Sequence, residues 1–96
     1  MTSKQRSNLK SKAAMMKPIA QIGKEGVGEN LIKSLSEALE ARELIKVNLL
    51  PASGEDGEKL AADVAQLLRA EVVAVIGRKA IFYRRSSRKE FQHIEF

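Results

Sequence analysis

The sequence predicts a mixed α/β domain in which helices and strands follow the order α-β-α-β-α-β-β. Three segments repeat apolar residues at helical spacing, and short apolar runs typical of strands lie between them. Strands separated by helices favour parallel crossovers, whereas the tight turn Gly77-Arg78-Lys79 favours an antiparallel hairpin at the end. A mixed four-stranded sheet with helices packed on it follows, and 96 residues fit one domain.

The first helix is predicted from its two ends. Thr2 and Gln5 have the spacing of a capping box, so the helix is expected to begin near Ser3. Pro18 cannot continue a helix and restricts the residue before it, so the helix ends no later than Lys17.

The middle of the chain predicts two strands, a helix and a loop. Residues 19–22 are predicted as a short strand, and residues 28–42 as a second helix with a regular apolar stripe. Residues 44–50 alternate apolar and polar side chains, which predicts a strand with one partly wet face. Residues 51–57 consist of turn formers and polar residues and are predicted as a loop.

The last third predicts a third helix and two more strands. The helix covers residues 58–69, and residues 72–76 are apolar at every position, which is typical of a central strand. Residues 80–84 form the final strand after the hairpin turn. Residues 85–96 are basic and then mildly apolar, and the pattern assigns no element to them.

The basic residues are concentrated at the two ends of the chain. Residues 1–24 carry six basic residues and no acidic one, residues 25–77 have a net charge of −5, and residues 78–96 have +4. If the fold brings the two ends together, they form one positive patch whose natural partner is a polyanion, most commonly nucleic acid. The alternative is that these cations only keep a small protein soluble.

Several kinds of site are excluded by composition. The chain has no cysteine, which excludes disulfides and thiolate sites, and His93 is its one histidine, which excludes paired-histidine metal sites. We expect no metal and no cofactor.

Membrane insertion and secretion are also not indicated. Residues 72–76, the longest apolar run, fall far short of the ~20 residues that cross a bilayer, and residues 1–17 lack the apolar stretch of a signal peptide. We therefore expect a cytoplasmic protein without a membrane partner.

A glycine-containing loop is the sharpest local motif. Gly23, Lys24, Glu25 and Gly26 lie between a predicted strand and a predicted helix. Glycine allows close backbone approach, and the N–H groups at the helix start attract phosphate, so this loop could hold a sugar–phosphate backbone. The spacing matches neither the dinucleotide fingerprint nor the P-loop, and a simple tight turn is the alternative.

The candidate catalytic residues do not combine into a recognisable site. Glu37, Glu40 and Glu43 are expected on or just after a solvated helix face, where they serve solubility. Ser86 and Ser87 stand among arginines without a visible histidine–carboxylate partner. We expect a protein that is not an enzyme.

A second basic set surrounds the last predicted strand. Arg78 and Lys79 lie in the hairpin turn, and Arg84 and Arg85 follow the strand. Tyr83 could stack on an unpaired nucleotide, although packing in the core is the alternative.

Several ordered segments together resemble the CRM domain family, whose bacterial single-domain members are the YhbY-type proteins. The segments that carry the resemblance are Met16-Lys17-Pro18, Ile19-Ala20-Gln21-Ile22-Gly23-Lys24-Glu25-Gly26, Glu43-Leu44-Ile45-Lys46-Val47, Val75-Ile76-Gly77-Arg78 and Ile81-Phe82-Tyr83-Arg84. The resemblance implies one domain over residues 1–84, followed by a basic tail of uncertain order over residues 85–96. It also implies a fold similar to the C-terminal domain of translation initiation factor three.

The function implied by the resemblance is non-catalytic binding of structured RNA. The expected partner is ribosomal RNA within large-subunit precursors, with the protein acting as a monomer in assembly of that subunit. The expected contacts are Lys4, Arg6, Lys10, Lys12, Lys17, Gly23, Lys24, Glu25, Gly26, Arg78, Lys79, Arg84 and Arg85. The main alternative is a protein–protein adaptor that docks an acidic partner through its basic ends and pairs with the strand at residues 44–50. A small phosphate-substrate enzyme using the glycine loop is a third possibility.

Overall fold

Three helices and four strands form in the predicted order within residues 1–23, 27–50 and 56–96, which the computed structural model describes. The elements are α1 Ser3–Ala13, β1 Gln21–Ile22, α2 Glu29–Arg42, β2 Leu44–Leu49, α3 Gly57–Leu68, β3 Glu71–Ile76 and β4 Lys79–Tyr83. The mixed α/β fold class is therefore confirmed. Lys24, Glu25 and Gly26 of the glycine loop lie outside the described residues, as do residues 51–55.

The four strands lie in the order β1-β2-β4-β3. β1 is parallel to β2, and β4 is antiparallel to both β2 and β3, so β1, β2 and β3 all run in one direction. The prediction of a central strand at residues 72–76 is wrong, because β3 lies at the edge and β4 is inserted between β2 and β3.

The apolar pattern of β3 has a different cause. Val72 and Val75 pack on one side of the sheet, whereas Val73 and Ala74 pack on the other. The register shifts between Val72 and Ala74, so Val73 and Ala74 both face the same side. An all-apolar strand therefore indicates that both of its faces are covered and does not specify its neighbours in the sheet.

Helices cover both faces of the sheet. On the α2–α3 face, the side chains of Ile45, Val47, Leu49 and Phe82 are buried beneath the two longer helices. On the opposite side, the α1 face, a smaller core is formed by Leu9, Ala13, Leu44, Val73 and Ile81.

Both ends of α1 are fixed by side chains. The predicted capping box is confirmed: the Gln5 N–H donates to Thr2 Oγ1 at 3.1 Å, and the Thr2 N–H donates to Gln5 Oε1 at 2.8 Å. At the other end, Lys46 Nζ donates to the carbonyl oxygens of Ala13 (3.3 Å) and Met16 (3.3 Å). A lysine on β2 thus satisfies carbonyls at the C-terminal end of α1, where a positive charge is favoured.

The chain after β4 folds back onto Glu43, which follows α2 and is fully buried. One carboxylate oxygen of Glu43 accepts the Ser86 N–H at 2.7 Å and lies 2.5 Å from His93 Nδ1. The other oxygen accepts the Ile94 N–H at 2.7 Å. Burial alone raises the pKa of Glu43, but the hydrogen bonds from His93, Ile94 and Ser86 outweigh it and lower the pKa below its ordinary 4.5.

Glu40 binds the same segment from the last turn of α2. Its carboxylate accepts hydrogen bonds from the Ser87 hydroxyl (2.5 Å), the Ser87 N–H (2.7 Å) and the Ser86 hydroxyl (2.9 Å). These bonds, led by the Ser87 hydroxyl, lower the pKa of Glu40 from 4.5 to about 2. The expectation that Glu40 and Glu43 only solvate a helix face is wrong, because both carboxylates bind the chain more than 40 residues later.

The end of the chain packs on the α1 face. Ile94 and Phe96 contact its core, and the ring of Phe96 meets that of Tyr83 edge-on with centroids 4.8 Å apart. Burial, with smaller contributions from nearby carboxylates led by Glu43, raises the pKa of Tyr83. Phe82 is fully buried, so of these two neighbouring aromatic residues on β4 it is the core residue.

Candidate nucleic-acid interface

The strand directions bring two distant parts of the chain to one end of the sheet. The Leu50 N–H donates to the Ile22 carbonyl at 2.8 Å, and the Leu49 N–H donates to the Arg78 carbonyl at 2.6 Å. Gly23, which follows Ile22, therefore lies at the same end as the hairpin turn that contains Arg78. Gly23 has open space where a Cβ would lie, so the backbone there can be approached closely.

The surface of α1 presents several of the predicted cations. Lys4, Lys10 and Lys12 are exposed on the helix, and Lys17 is exposed just after it. The helix contains no acidic residue, so the charge of these lysines is not compensated within it. An array of this kind can bind successive phosphate groups of a nucleic acid.

Arg6 has a structural contact that the sequence did not reveal. Its guanidinium donates to the carbonyl oxygens of Val72 and Val73, the latter at 3.3 Å, where the register of β3 is irregular. Arg6 therefore holds α1 against the edge strand.

Arg84 also binds backbone carbonyl oxygens. Its guanidinium donates to Leu68 O at 2.8 Å and to Ser36 O at 2.9 Å, and it lies 3.8 Å from a carboxylate oxygen of Glu40. These bonds join α2 to the end of α3 on the α2–α3 face. Arg85, the next residue, is exposed, as are Arg78 and Lys79 in the hairpin.

The helices on the two faces differ in charge. Acidic and basic side chains are mixed on the helices of the α2–α3 face, where the charged residues are Glu29, Lys33, Glu37, Glu40, Arg42, Glu58, Lys59 and Asp63. Five of these eight are acidic, whereas every charged residue of α1 is basic. The α1 face therefore attracts polyanions more strongly than the α2–α3 face.

Ser86, His93 and Glu43 come together, contrary to the expectation that no histidine–carboxylate pair lies near the serines. The geometry is not that of a nucleophilic site, because the Ser86 hydroxyl proton is shared between the main-chain carbonyl (2.8 Å) and the carboxylate (2.9 Å) of Glu40, and Ser86 is only 6% exposed. Within the described ranges, no cluster of three histidine, aspartate or glutamate side chains could hold a metal ion. In the same ranges, no helix combines the length and apolar composition that a membrane span requires.

The adaptor alternative loses its proposed route through the strand at residues 44–50. β2 lies between β1 and β4 and is hydrogen-bonded on both edges, so it cannot accept a strand from a partner.

Two polar residues of the sheet, Gln21 and Asn48, were not among the contacts predicted from the sequence. The signal for Asn48 was its polar position in the alternating pattern of β2.

The comparisons with known proteins agree with this fold. A family model described as the CRS1 / YhbY (CRM) domain matches residues 1–84. The chain is 44% identical over 95 residues to the "Probable RNA-binding protein YqeI" of Bacillus subtilis, covering 99% of this chain and 97% of that protein. It is 27% identical over 84 residues to CRS2-associated factor 1 of Arabidopsis thaliana chloroplasts, covering 88% of this chain and 12% of that larger protein.

A solved structure shows the same architecture. The solution structure of the hypothetical protein SAV1595 from Staphylococcus aureus superimposes with a TM-score of 0.79 at 42% sequence identity, covering 94% of each chain. The match to the family model spans every helix and strand of the described fold. The chain belongs to the CRS1/YhbY (CRM) domain family.

Proposed function

We propose that this protein binds structured RNA, without catalysis, through the lysines of α1 and the end of the sheet that carries Gly23 and Arg78. The observation that carries the proposal is the set of exposed lysines on α1, a helix with no acidic residue. The name of the Bacillus subtilis relative, which is similar over nearly the whole chain, supports the same function.

The chemistry of binding is electrostatic. Exposed lysines displace condensed counterions from the RNA backbone, so affinity falls as salt rises. Such phosphate contacts position the protein without reading sequence. Gly23 and the segment at residues 24–26, with Lys24, Glu25 and Gly26, are proposed to approach the backbone closely. Arg78 and Lys79 are proposed to extend the surface at that end of the sheet, and Arg85, which follows β4 at the opposite end, to make a separate contact there.

Arg6 and Arg84 have a different place in this proposal. Both guanidinium groups donate to backbone carbonyl oxygens of the protein, so their proposed role is to hold α1 and α2 in position. The contacts to RNA are then made by Lys4, Lys10, Lys12 and Lys17. All of them lie within residues 1–84, the proposed RNA-binding domain.

We further propose that the RNA is ribosomal RNA in precursors of the large subunit and that the protein acts there as a monomer. The support is the resemblance of the chain to the YhbY-type members of its family. A binding competition between large-subunit and small-subunit precursor RNA tests this point. Equal affinity for both would contradict the ribosomal assignment and leave RNA binding in place.

The test of RNA binding is a filter-binding titration between about 50 and 200 mM salt. A variant with Lys4, Lys10 and Lys12 changed to alanine is compared with a variant in which Lys33, Arg42 and Lys59 are changed. Both variants lose three exposed cations, from the α1 face and the α2–α3 face respectively. We expect the first to reduce the slope of log affinity against log salt by about 3 and the second to leave it nearly unchanged. Equal effects, or a wild-type slope near zero, would contradict the proposal.

A further inference from the structure

A row of four side chains crosses the sheet from one edge to the other. Gln21 of β1 is paired with Asn48 of β2, Asn48 with Lys79 of β4, and Lys79 with Ile76 of β3. Residues paired in register point to the same face of a sheet. Ile22 and Leu49, the pair next to Gln21 and Asn48, are buried under α2 and α3, so the row belongs to the α1 face.

Among the described elements, none covers this row. α1 packs on the middle of the face, over Val73 and Ile81, and the end of the chain packs near Tyr83. The row lies beyond both, toward the end of the sheet where Gly23 and Arg78 come together. Gln21 and Lys79 are exposed, Asn48 is partly exposed, and Ile76 is 50% exposed.

The polar side chains of the row have hydrogen-bonding capacity that the other described residues do not use. Each primary amide offers an oxygen acceptor and two N–H donors, and the lysine offers three donors. Among the described residues, no hydrogen bond engages the side chain of Gln21, Asn48 or Lys79. The row itself contains no acidic residue, so it repels no phosphate.

The dimensions and chemistry of the row fit one surface of RNA. Three inter-strand spacings of ~4.8 Å give the row a length of about 14 Å. The minor groove of an A-form helix is wide and shallow and displays ribose 2′-hydroxyls, each of which both donates and accepts hydrogen bonds. A strip with two neighbouring amides at one end and a lysine beside them can contact such a groove, whereas binding to phosphates alone requires only cations.

We propose that Gln21 and Asn48 contact ribose 2′-hydroxyl groups in the minor groove of a structured RNA, with Lys79 on an adjacent phosphate. This assignment rests on the proposed RNA-binding function and adds to it a means of distinguishing RNA from DNA. The lysines of α1 then supply affinity for any polyanion, and the amides supply the preference for ribose.

The experiment compares binding to an RNA hairpin and to a DNA hairpin of the same sequence. The Gln21→Ala/Asn48→Ala variant is set against Asn30→Ala/Gln66→Ala, which removes two exposed amides from the α2–α3 face. We expect the first variant to lose about tenfold in RNA affinity, from two to three hydrogen bonds, with little change for DNA and an unchanged salt slope. The matched control should bind both hairpins like wild type.

A second substitution separates loss of contact from loss of fold. Asn48→Asp is isosteric and places a negative charge in the row, so it should weaken RNA binding more than Asn48→Ala, whereas Asn30→Asp should have little effect. Thermal unfolding of each variant reports whether the fold is kept. If the wild type binds RNA and the Gln21 and Asn48 variants bind it with the same affinity, this inference is overturned and the proposed function stands. If the wild type does not bind RNA, both this inference and the proposed function are overturned.

Discussion

The helices on the two faces of the sheet are attached to it by different interactions. On the α2–α3 face, five residues of α3 and two of α2 are buried, whereas on the other face only Leu9 and Ala13 of α1 are buried. Much of the attachment of α1 is polar: Arg6 donates to carbonyls of β3, and Lys46 donates to carbonyls at the end of the helix. A helix that presents lysines to solvent has few positions left for apolar packing, and bonds from cations to carbonyls compensate for this.

The largest expected effect comes from the apolar contact of α1. Leu9→Ala should lower the free energy of unfolding by about 2–5 kcal/mol, because it leaves a cavity under a helix that buries only two residues. Leu39→Ala on α2 should cost a similar amount. Urea denaturation measures both stabilities. RNA affinity of the folded fraction should fall only for Leu9→Ala, since α1 carries the proposed contacts, and an equal fall in both would contradict the assignment to the α1 face.

A smaller effect is expected at the carboxylate that joins α2 to the end of the chain. Glu43→Gln should lower the free energy of unfolding by about 1–3 kcal/mol, since an amide cannot accept all the hydrogen bonds at this buried position. Glu37→Gln, on the exposed side of α2, is the control and should stay within about 0.5 kcal/mol of wild type. The chain has a single tyrosine, so Tyr83 fluorescence reports directly whether Phe96 remains in place. Unchanged stability and fluorescence would argue against this role of Glu43.

The same carboxylates predict how stability depends on pH. The pKa of Glu40 is lowered to about 2, and that of Glu43 also lies below 4.5. A carboxylate whose pKa is lower in the folded state contributes fully above its unfolded value, and the contribution is lost as pH falls toward the folded value. The urea midpoint should therefore fall between about pH 4.5 and pH 2. The Glu40→Gln/Glu43→Gln variant should show a weaker fall, and an identical profile would contradict the prediction.

The smallest predicted effect tests the polar attachment of α1. Lys46→Met keeps an unbranched aliphatic chain but removes the ammonium group and its hydrogen bonds to the end of the helix, and it should lower the free energy of unfolding by about 0.3–1 kcal/mol. Lys4→Met, in the exposed first turn of α1, is the control and should change the stability by less. The difference in urea midpoint between the two variants measures the capping contribution. A larger loss from Lys4→Met would indicate that Lys46 does not stabilise the helix end.

The order of elements could be predicted from sequence because its signals are local. The capping box at Thr2 and Gln5 and the alternation along β2 each depend on residues within one element. The position of β3 in the sheet could not be predicted. Its apolar residues show that both of its faces are covered, but they carry no information about which strand is its neighbour.

The roles of the cations in the candidate interface could also be predicted only in part from the sequence. Basic composition at the two ends of the chain indicated a polyanion partner, and the strand directions then brought Gly23 and Arg78 to one end of the sheet. Composition could not distinguish Arg6 and Arg84 from the exposed lysines, because their carbonyl partners lie 16 to 67 residues away in sequence.

Sequence alone determined the fold class, the element order and the sign of the charge, since all three follow from local periodicity and composition. Tertiary structure alone decided that β4 lies inside the sheet, that Glu43 is buried and binds the returning chain, and that Gln21, Asn48 and Lys79 form one row. The physical reason is that each of these features depends on contacts between residues far apart in the chain, which exist only once the layers have packed.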